Sequence, residues 1–215
     1  MTASSRTSTS VMQRRFEPRD SLDDFPTPPW ATRALCEWLS TRYETGGMSC
    51  REPAANRGFM VRPLREYFST VVASDIHDYG AGFPQEDYLS GSTSLPVDWT
   101  ITNPPFRLAQ QFIECALRNS GRGVAVIVRT AFLEGKSRYE DLFSVSPPTD
   151  VLQFVERVPM VKGMYNNKAS TATAYCWLVW DKGGSHCGTR LGWIPPCRKA
   201  LELPKDCVWQ MQETE

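Results

Sequence analysis

The sequence predicts an α/β protein with a mostly parallel sheet and helices on both faces. Short, nearly continuous apolar runs recur along the chain, among them VDWTIT (97–102) and GVAVIVRTAFL (123–133). Such runs are typical of strands that are buried on both sides. Amphipathic segments such as ATRALCEWLSTRY (31–43) and RLAQQFIECALRN (107–119) alternate with them. This alternation indicates strands joined by helical crossovers, and in such sheets ligands bind beyond the carboxyl ends of the strands.

The other elements follow from similar patterns. FPTPPW (25–30) is predicted to be extended, because each proline biases the preceding residue away from helix. VRPLREYF (61–68) is a further predicted helix, and 77–96 is a loop. MSCREPAANRGFM (48–60) reads as a short strand running into a loop, although its GMSCRE portion is poorly hydrophobic for a central strand. The remaining predicted strands are 69–76, 150–159 and 172–180.

The composition is that of an ordinary globular protein. Lys+Arg and Asp+Glu number 24 each in 215 residues, so the formal net charge is zero and overall charge argues neither for nor against nucleic acid. The predicted organisation is a disordered tail (1–22), one domain (23–182) and a polar C-terminal extension (183–215). The Ser/Thr-rich start has no apolar core and no apolar run approaches membrane length, so we expect a soluble cytoplasmic protein.

The cysteines do not predict a metal site. There are seven, an odd number, without the paired short spacing of zinc ligands. Cys187, Cys197 and Cys207 lie ten residues apart, with His186 next to the first, and we expect free thiols and no metal.

Three predicted strands end in residues with useful chemistry. Glu52 opens EPAANRG (52–58), where small residues and a following helix start would let a ligand approach the backbone closely. Asp75 follows 23 residues later, the position of an acid that binds ribose hydroxyls in nucleotide-binding folds. Asp87 adds a third acid. Each alone also fits an ordinary turn or helix cap, but together they favour a cofactor that contains a nucleoside.

The stretch TNPPF (102–106) ends the third of these strands. Asn103 carries both an acceptor and a donor, and Pro104 and Pro105 stiffen the turn and leave the Pro104 carbonyl as a pure acceptor. Phe106 offers a flat apolar face. The combination predicts a cradle for a planar group with an exocyclic NH₂, whose hydrogens meet two acceptors while its ring stacks on Phe106. The alternative is a strand terminator with a buried phenylalanine.

These motifs resemble those of a known enzyme family. TNPPF resembles the catalytic motif of S-adenosylmethionine-dependent amino-group DNA methyltransferases, and Asn followed by Pro-Pro-Phe is typical of N6-adenine enzymes. EPAANRG resembles their methionine-binding loop, and DFPTPPWAT resembles a cofactor motif that precedes it in one subclass. Longer stretches, including VVASDIHDYGAGFP and KASTATAYCWLVW, are similar to small phage- and prophage-type adenine methyltransferases. The resemblance covers about residues 23–181.

The resemblance implies a Rossmann-like class I methyltransferase fold with a mostly parallel seven-stranded sheet. It implies S-adenosylmethionine as cofactor and double-stranded DNA as partner, with the target adenine flipped out of the duplex. Asn103→Asp is expected to be tolerated, because related enzymes carry Asp there. The implied catalytic residues are Asn103, Pro104, Pro105 and Phe106. The implied cofactor-binding residues are Thr27, Pro28, Glu52, Pro53, Ala54, Asn56, Gly58, Asp75, Ile76, Asp87 and Tyr88.

Asn56 departs from the family pattern, since it occupies the first glycine position of the loop. If that position needs a positive φ, Asn is the next-best residue; if it needs no side chain, Asn56 crowds the cofactor.

We expect no large target-recognition region within these residues, and the sequence leaves open a protein partner for target recognition. The predicted nucleic-acid contacts are cations, amides and one aromatic ring that follow the strands. They are Arg129, Lys136, Lys162, Tyr165, Asn166, Asn167 and Lys168. The loop that holds most of them also fits an ordinary hairpin turn.

Several functions compete with DNA adenine methylation. RNA adenine and protein glutamine methyltransferases also use Asn-Pro-Pro-aromatic, and a non-catalytic nucleic-acid-binding module with a damaged cofactor loop is a further alternative. A Rossmann dehydrogenase is disfavoured, because the chain has no G-x-G-x-x-G motif.

Overall fold

The structure is a computed structural model that describes residues 23–91, 95–184 and 187–208. The predicted tail (1–22) and His186 lie outside the described residues. Seven strands form one sheet in the order β2-β1-β3-β4-β6-β5-β7. The β4–β6 and β5–β6 pairs are antiparallel and the others are parallel. The strands are β1 (Ser49–Glu52), β2 (Thr70–Ala73), β3 (Val97–Thr102), β4 (Ser120–Arg129), β5 (Asp150–Phe154), β6 (Tyr175–Asp181) and β7 (Arg190–Ile194).

Helices cover both faces of the sheet. Alternate residues of β4 divide between two apolar cores, with Ile127 on one side and Val126 on the other. Leu35 of α1 belongs to the first core, whereas Ile113 of α3 belongs to the second. No helix among the described residues has the length and apolarity needed to cross a bilayer. The helices are α1 (Pro29–Ser40), α2 (Val61–Tyr67), α3 (Ala109–Asn119), α4 (Lys136–Arg138, continued by a π-turn at Tyr139–Phe143), α5 (Arg198–Leu201) and α6 (Lys205–Val208).

Strand β1 lies between β2 and β3 although its sequence is SCRE. Hydrogen bonds explain why a polar strand is stable there. The carboxylate of Asp98 accepts from the backbone N–H and the hydroxyl of Ser49 at 2.8 and 2.9 Å. Arg51 donates to the Leu95 carbonyl at 2.7 Å. Since buried polar groups are tolerated when they are hydrogen-bonded, these contacts offset part of the cost of burying polar side chains in this strand.

The C-terminal segment belongs to the same sheet. β7 pairs in parallel with β5 and forms the edge of the sheet, so the predicted extension supplies the seventh strand. Further along, the fully buried Asp206 accepts two hydrogen bonds from Arg33 of α1 at 2.7 and 2.8 Å. The same guanidinium donates to Glu66 of α2 at 2.7 and 3.0 Å. The boundary expected after residue 182 is therefore not a boundary of the sheet or of the packing around it.

Candidate functional site

A cavity of about 410 Å³ opens where the carboxyl ends of β1 and β3 meet the segment before α1. Its size is in the range of small-molecule sites. Ten of the residues that were predicted from the sequence lie in its wall: Thr27, Pro53, Ala54, Asn56, Asp75, Ile76, Asp87, Tyr88, Asn103 and Pro105.

Five predicted residues do not line the cavity, although each is next in sequence to a residue that does: Pro28, Glu52, Gly58, Pro104 and Phe106. Gly58 has a φ of 82°, and a Cβ there would lie 3.0 Å from the ring of Phe83, so its role is to let the loop turn. Pro28 lies at the N-cap of α1.

Sequence reasoning missed several wall residues. Phe59 and Tyr79 line the cavity, as do Leu108, the N-cap of α3, and Phe112 in the first turn of that helix. The helical spacing was visible in the sequence, but it reads equally well as core packing. Glu86, next to Asp87, adds a carboxylate.

Asn56 adopts the left-handed conformation, with a φ of 50°. Its backbone N–H donates to Asp75 Oδ2 at 2.8 Å, and its side-chain Nδ2 donates to Asp24 Oδ1 at 2.8 Å. Its Oδ1 accepts from the Arg57 N–H at 2.7 Å. The position thus uses a positive φ, which Asn tolerates better than most residues, and both ends of the side-chain amide are occupied by protein groups.

Glu52 is fully buried at the end of β1. Its Oε1 accepts from the Ala54 N–H at 2.9 Å and from the Thr102 hydroxyl at 2.6 Å. Among the described residues, its buried Oε2 has no hydrogen-bond partner. Burial raises the pKa of Glu52 well above its ordinary value, although the two hydrogen bonds act in the opposite direction.

The two acids that follow are held by backbone amides. Asp75 accepts from the Asn56 N–H and, through Oδ1, from the His77 N–H at 3.0 Å, and burial raises its pKa. Asp87 is exposed and its Oδ1 accepts from the Leu89 N–H at 2.9 Å, which caps a short 3₁₀ turn. Each carboxylate oxygen has a second lone pair, so these contacts leave acceptor capacity toward the cavity.

Asn103 presents an unused acceptor. Its Nδ2 donates to the Phe25 carbonyl at 2.9 Å, which fixes the orientation of the amide. Among the described residues, its buried Oδ1 has no partner. The next turn is held by two further bonds, from the Phe106 N–H to Asp23 Oδ2 and from the Leu108 N–H to the Pro105 carbonyl, both at 2.9 Å.

The ring of Phe106 lies between two side chains. Its centroid is 5.3 Å from that of Phe25, with 39° between the planes. The guanidinium of Arg129, at the end of β4, lies 4.1 Å from the ring centroid, a cation–π contact. Arg129, which was expected to contact phosphate, therefore covers the predicted stacking ring.

One predicted nucleic-acid contact is wrong. Tyr165 is only 2% exposed, its hydroxyl donates to Glu202 at 2.6 Å and its ring packs 5.7 Å from Phe59, so it is not available to stack on a base. Lys162, Asn167 and Lys168 are exposed.

At least three of the predicted contacts have protein partners. The Nδ2 of exposed Asn167 donates to Cys207 Sγ at 3.2 Å. Half-buried Asn166 accepts from the Lys168 N–H at 2.9 Å, which is the turn geometry of the alternative interpretation. Lys136 is exposed and pairs with Glu140 at 3.7 Å.

Solved structures with a similar fold are known, although the sequence itself has no match. No family model and no curated protein matches the chain. A proposed RNA methyltransferase from Pyrococcus horikoshii superposes with a TM-score of 0.59 and 16% identity, over 78% of this chain and 90% of that one.

Two type I restriction-modification structures are also similar. The modification subunit of a proposed enzyme from Vibrio vulnificus has a TM-score of 0.57 and 16% identity, over 89% of this chain and 53% of that one. The methyltransferase subunit from Streptococcus thermophilus has a TM-score of 0.57 and 10% identity, over 76% and 46%. This chain spans about half of each subunit. With the sheet order, these similarities show that the chain has the Rossmann-like methyltransferase fold.

Proposed function

We propose that the chain is an S-adenosylmethionine-dependent methyltransferase that modifies the N6 amino group of adenine in DNA. One observation carries the proposal. The Asn103 amide is oriented by the Phe25 carbonyl so that its buried, unpartnered Oδ1 is left as an acceptor beside the cavity. A buried acceptor without a partner is costly in a free protein, and it is explained if a donor of the substrate completes it.

The cavity fits a cofactor that contains a nucleoside. Tyr88, Leu108 and Phe112 form an apolar part of the wall suited to an aromatic ring. Asp75 is placed for ribose hydroxyls, while Ala54 and Ala55 let the backbone approach a ligand closely. Glu52 does not line the cavity, but its Oε1 holds the N–H of Ala54, which does, so its role is to position the wall. When bound, S-adenosylmethionine supplies an electrophilic methyl group.

The chain's own groups act on the substrate amine by positioning. In adenine the lone pair of the amino nitrogen is delocalised into the ring. Hydrogen bonds from its two hydrogens to Asn103 Oδ1 and the Pro104 carbonyl favour the pyramidal nitrogen and localise that lone pair. The localised lone pair would then take up the methyl group that S-adenosylmethionine supplies, leaving S-adenosylhomocysteine, and the methylated amine would release its extra proton to solvent. The amide of Asn103 neither gains nor loses a proton, so catalysis depends on orientation and fixed dipoles.

The stacking role of Phe106 requires a rearrangement. A base that stacks on the face now covered by Arg129 takes the place of the guanidinium, which then lies free at the edge of the site. Arg129 is exposed, so this movement opens no buried surface. A displaced Arg129 next to the flipped nucleotide is well placed for a phosphate.

The proposal includes a protein partner for target recognition. Both type I modification subunits are about twice as long as the part this chain covers. The exposed side chains of Lys162, Asn167 and Lys168 are the remaining candidates within this chain for contact with the DNA.

Product analysis tests the function directly. The purified protein is incubated with S-adenosylmethionine and, separately, unmethylated duplex DNA, RNA and a glutamine-containing peptide, and the products are identified by mass. We expect N6-methyladenine in DNA from the wild type and none from Asn103→Ala. Methylated RNA or glutamine would replace the DNA assignment, and a wild type that neither transfers methyl groups nor binds S-adenosylhomocysteine would refute the proposal.

A further inference from the structure

Three consecutive residues before α1, the Asp23–Phe25 segment, contact both walls of the cavity. On the catalytic side, Asp23 accepts from the Phe106 N–H and the Phe25 carbonyl accepts from the Asn103 amide, both at 2.9 Å. On the other side lies the cofactor loop, residues 52–58. Here Asp24 accepts from the Asn56 amide at 2.8 Å and from Arg57 at 2.9 and 3.0 Å. These contacts join parts of the chain that are 32 to 83 residues apart in sequence.

At one end of this connection, Asp24 is buried and hydrogen-bonded. Asp24 is 8% exposed, and its carboxylate is shared between an amide and a guanidinium. Charge-assisted hydrogen bonds of this kind are stronger and more directional than neutral ones. The partner amide belongs to Asn56, whose backbone N–H is itself held by Asp75 of the same wall. The side chain of Asn56, the loop residue with a positive φ, therefore fixes the cofactor loop to the Asp23–Phe25 segment.

We infer that Asn56 and Asp24 are positioning residues that couple the cofactor loop to Asn103 through the Asp23–Phe25 segment. This rests on the proposed function and extends it, since it assigns a role to the residue that replaces the family's glycine. A glycine would satisfy the positive φ but would have no amide to reach Asp24. Asn56 thus satisfies the backbone and ties the loop to the segment that aims the catalytic amide.

The coupling and the crowding interpretation predict opposite effects of Asn56→Gly on ligand affinity. If Asn56 crowds the cofactor, Asn56→Gly tightens binding. If Asn56 is a tether, the same change loosens the loop and weakens binding of S-adenosylhomocysteine. It removes the bond to Asp24 and the bond from the Arg57 N–H, and each lost hydrogen bond of ordinary net strength is worth about fivefold. Glycine adopts a φ of 50° readily, so this variant is expected to fold.

The experiment measures S-adenosylhomocysteine binding by calorimetry for the wild type, Asn56→Gly, Asp24→Ala and the double variant. Since either single change removes the shared Asn56–Asp24 contact, we expect the loss of affinity in the double variant to be smaller than the product of the two single losses. Hydrogen exchange of residues 103–112 is measured with and without the ligand. The ligand should slow this exchange in the wild type and lose that effect in Asn56→Gly.

Glu156→Ala is the matched control. Its half-buried carboxylate ties the C-terminal segment to the sheet by accepting from the Cys197 and Arg198 N–H groups at 2.6 and 3.0 Å, away from the cavity. This variant should lose thermal stability and keep the ligand effect on 103–112. Tighter binding by Asn56→Gly, multiplying effects in the double variant, or an unchanged exchange response overturns the inference.

The proposed function and the coupling fail in different ways. A wild type that does not bind S-adenosylhomocysteine refutes the proposed function. The coupling is then tested on the free protein, where Asn56→Gly must still speed the hydrogen exchange of residues 103–112 and the control Glu156→Ala must not. If Asn56→Gly leaves that exchange unchanged, the coupling is refuted as well.

Discussion

At the scale of single residues, Asn103 is held by a contact that restricts what can replace it. Its NH₂ group donates to the Phe25 carbonyl, so an ionised aspartate would place an oxygen against that carbonyl oxygen. The family resemblance led us to expect that Asn103→Asp is tolerated, but this contact argues otherwise. We now expect it to lower the methyl-transfer rate at neutral pH by about 10²-fold, the usual effect of losing one aligned dipole.

The measurement is a single-turnover rate with saturating cofactor, alongside S-adenosylhomocysteine binding. Binding should change by less than about threefold, because the substitution acts on the transition state. Full activity of Asn103→Asp would show that the Phe25 carbonyl does not restrain the side chain.

The buried carboxyl of Glu52 makes the stability of the protein depend on pH. Because burial raises its folded-state pKa above the unfolded value, the stability it contributes is complete below the ordinary pKa of 4.5 and is lost as the pH rises toward the folded-state pKa. Glu52→Gln removes this titration and keeps an Oε1 acceptor for Ala54 and Thr102.

We expect Glu52→Gln to raise the free energy of unfolding at pH 8 by about 1–2 kcal/mol. Urea unfolding at pH 5 and pH 8 checks this effect, which should shrink at pH 5. If the variant is less stable than wild type at pH 8, the hydrogen bonds of the Glu52 carboxylate fully offset the cost of burying its charge.

Some of the site was within reach of the sequence and some was not. Asn103 and Asp75 were predicted because a motif and the end of an apolar strand mark them locally. The contacts of Asp23 and Asp24 were missed, because a carboxylate before a proline-rich segment has no local signature and its partners are 32 to 83 residues away. The burial of Tyr165 was missed for the same reason, since its partner Glu202 is 37 residues away.

At the scale of elements, hydrophobic pattern predicted best where a strand is buried along its whole length. β3 has the predicted bounds, 97–102, and five of its six residues are buried. β4 begins at Ser120, three residues before the predicted start, because α3 runs directly into it. β7 was not predicted, because four of the five residues in RLGWI are at least partly exposed and edge strands need little apolar surface.

Gly123 shows how tightly β4 packs. A Cβ at this position would lie 2.4 Å from the Trp99 ring and 2.7 Å from the Trp180 carbonyl oxygen. We expect Gly123→Ala to cost about 3 kcal/mol of unfolding free energy, the upper part of the range for overpacking, because both obstacles are themselves buried.

Gly47→Ala is the matched control, since no atom lies within 4 Å of its added Cβ. That variant should stay within about 0.5 kcal/mol of wild type in urea unfolding. A mild effect of Gly123→Ala would mean that Trp99 can shift at little cost.

At the scale of the whole molecule, a buried ion network joins the first helix to the last. Arg33 is 2% exposed and contacts both Asp206 and Glu66, so removal of Asp206 leaves a buried guanidinium with one partner fewer. Breaking such a pair is expected to cost about 3–5 kcal/mol. Urea unfolding of Asp206→Ala measures it.

Glu140→Ala, in an exposed pair with Lys136, is the comparison and should cost less than about 1 kcal/mol. Similar small losses in the two variants would show that the C-terminal helix is a peripheral attachment.

The same network sets an order of events when the chain is made. Arg33 and Asp206 are 173 residues apart, and translation at 5–20 residues per second takes roughly 10 to 35 seconds to cover that interval. Throughout that time α1 carries a guanidinium whose full set of partners has not been synthesised. The Asp23–Phe25 segment lies shortly before this helix, so a nascent chain can hold every residue of the cavity wall before the helix beside that wall has its final anchor.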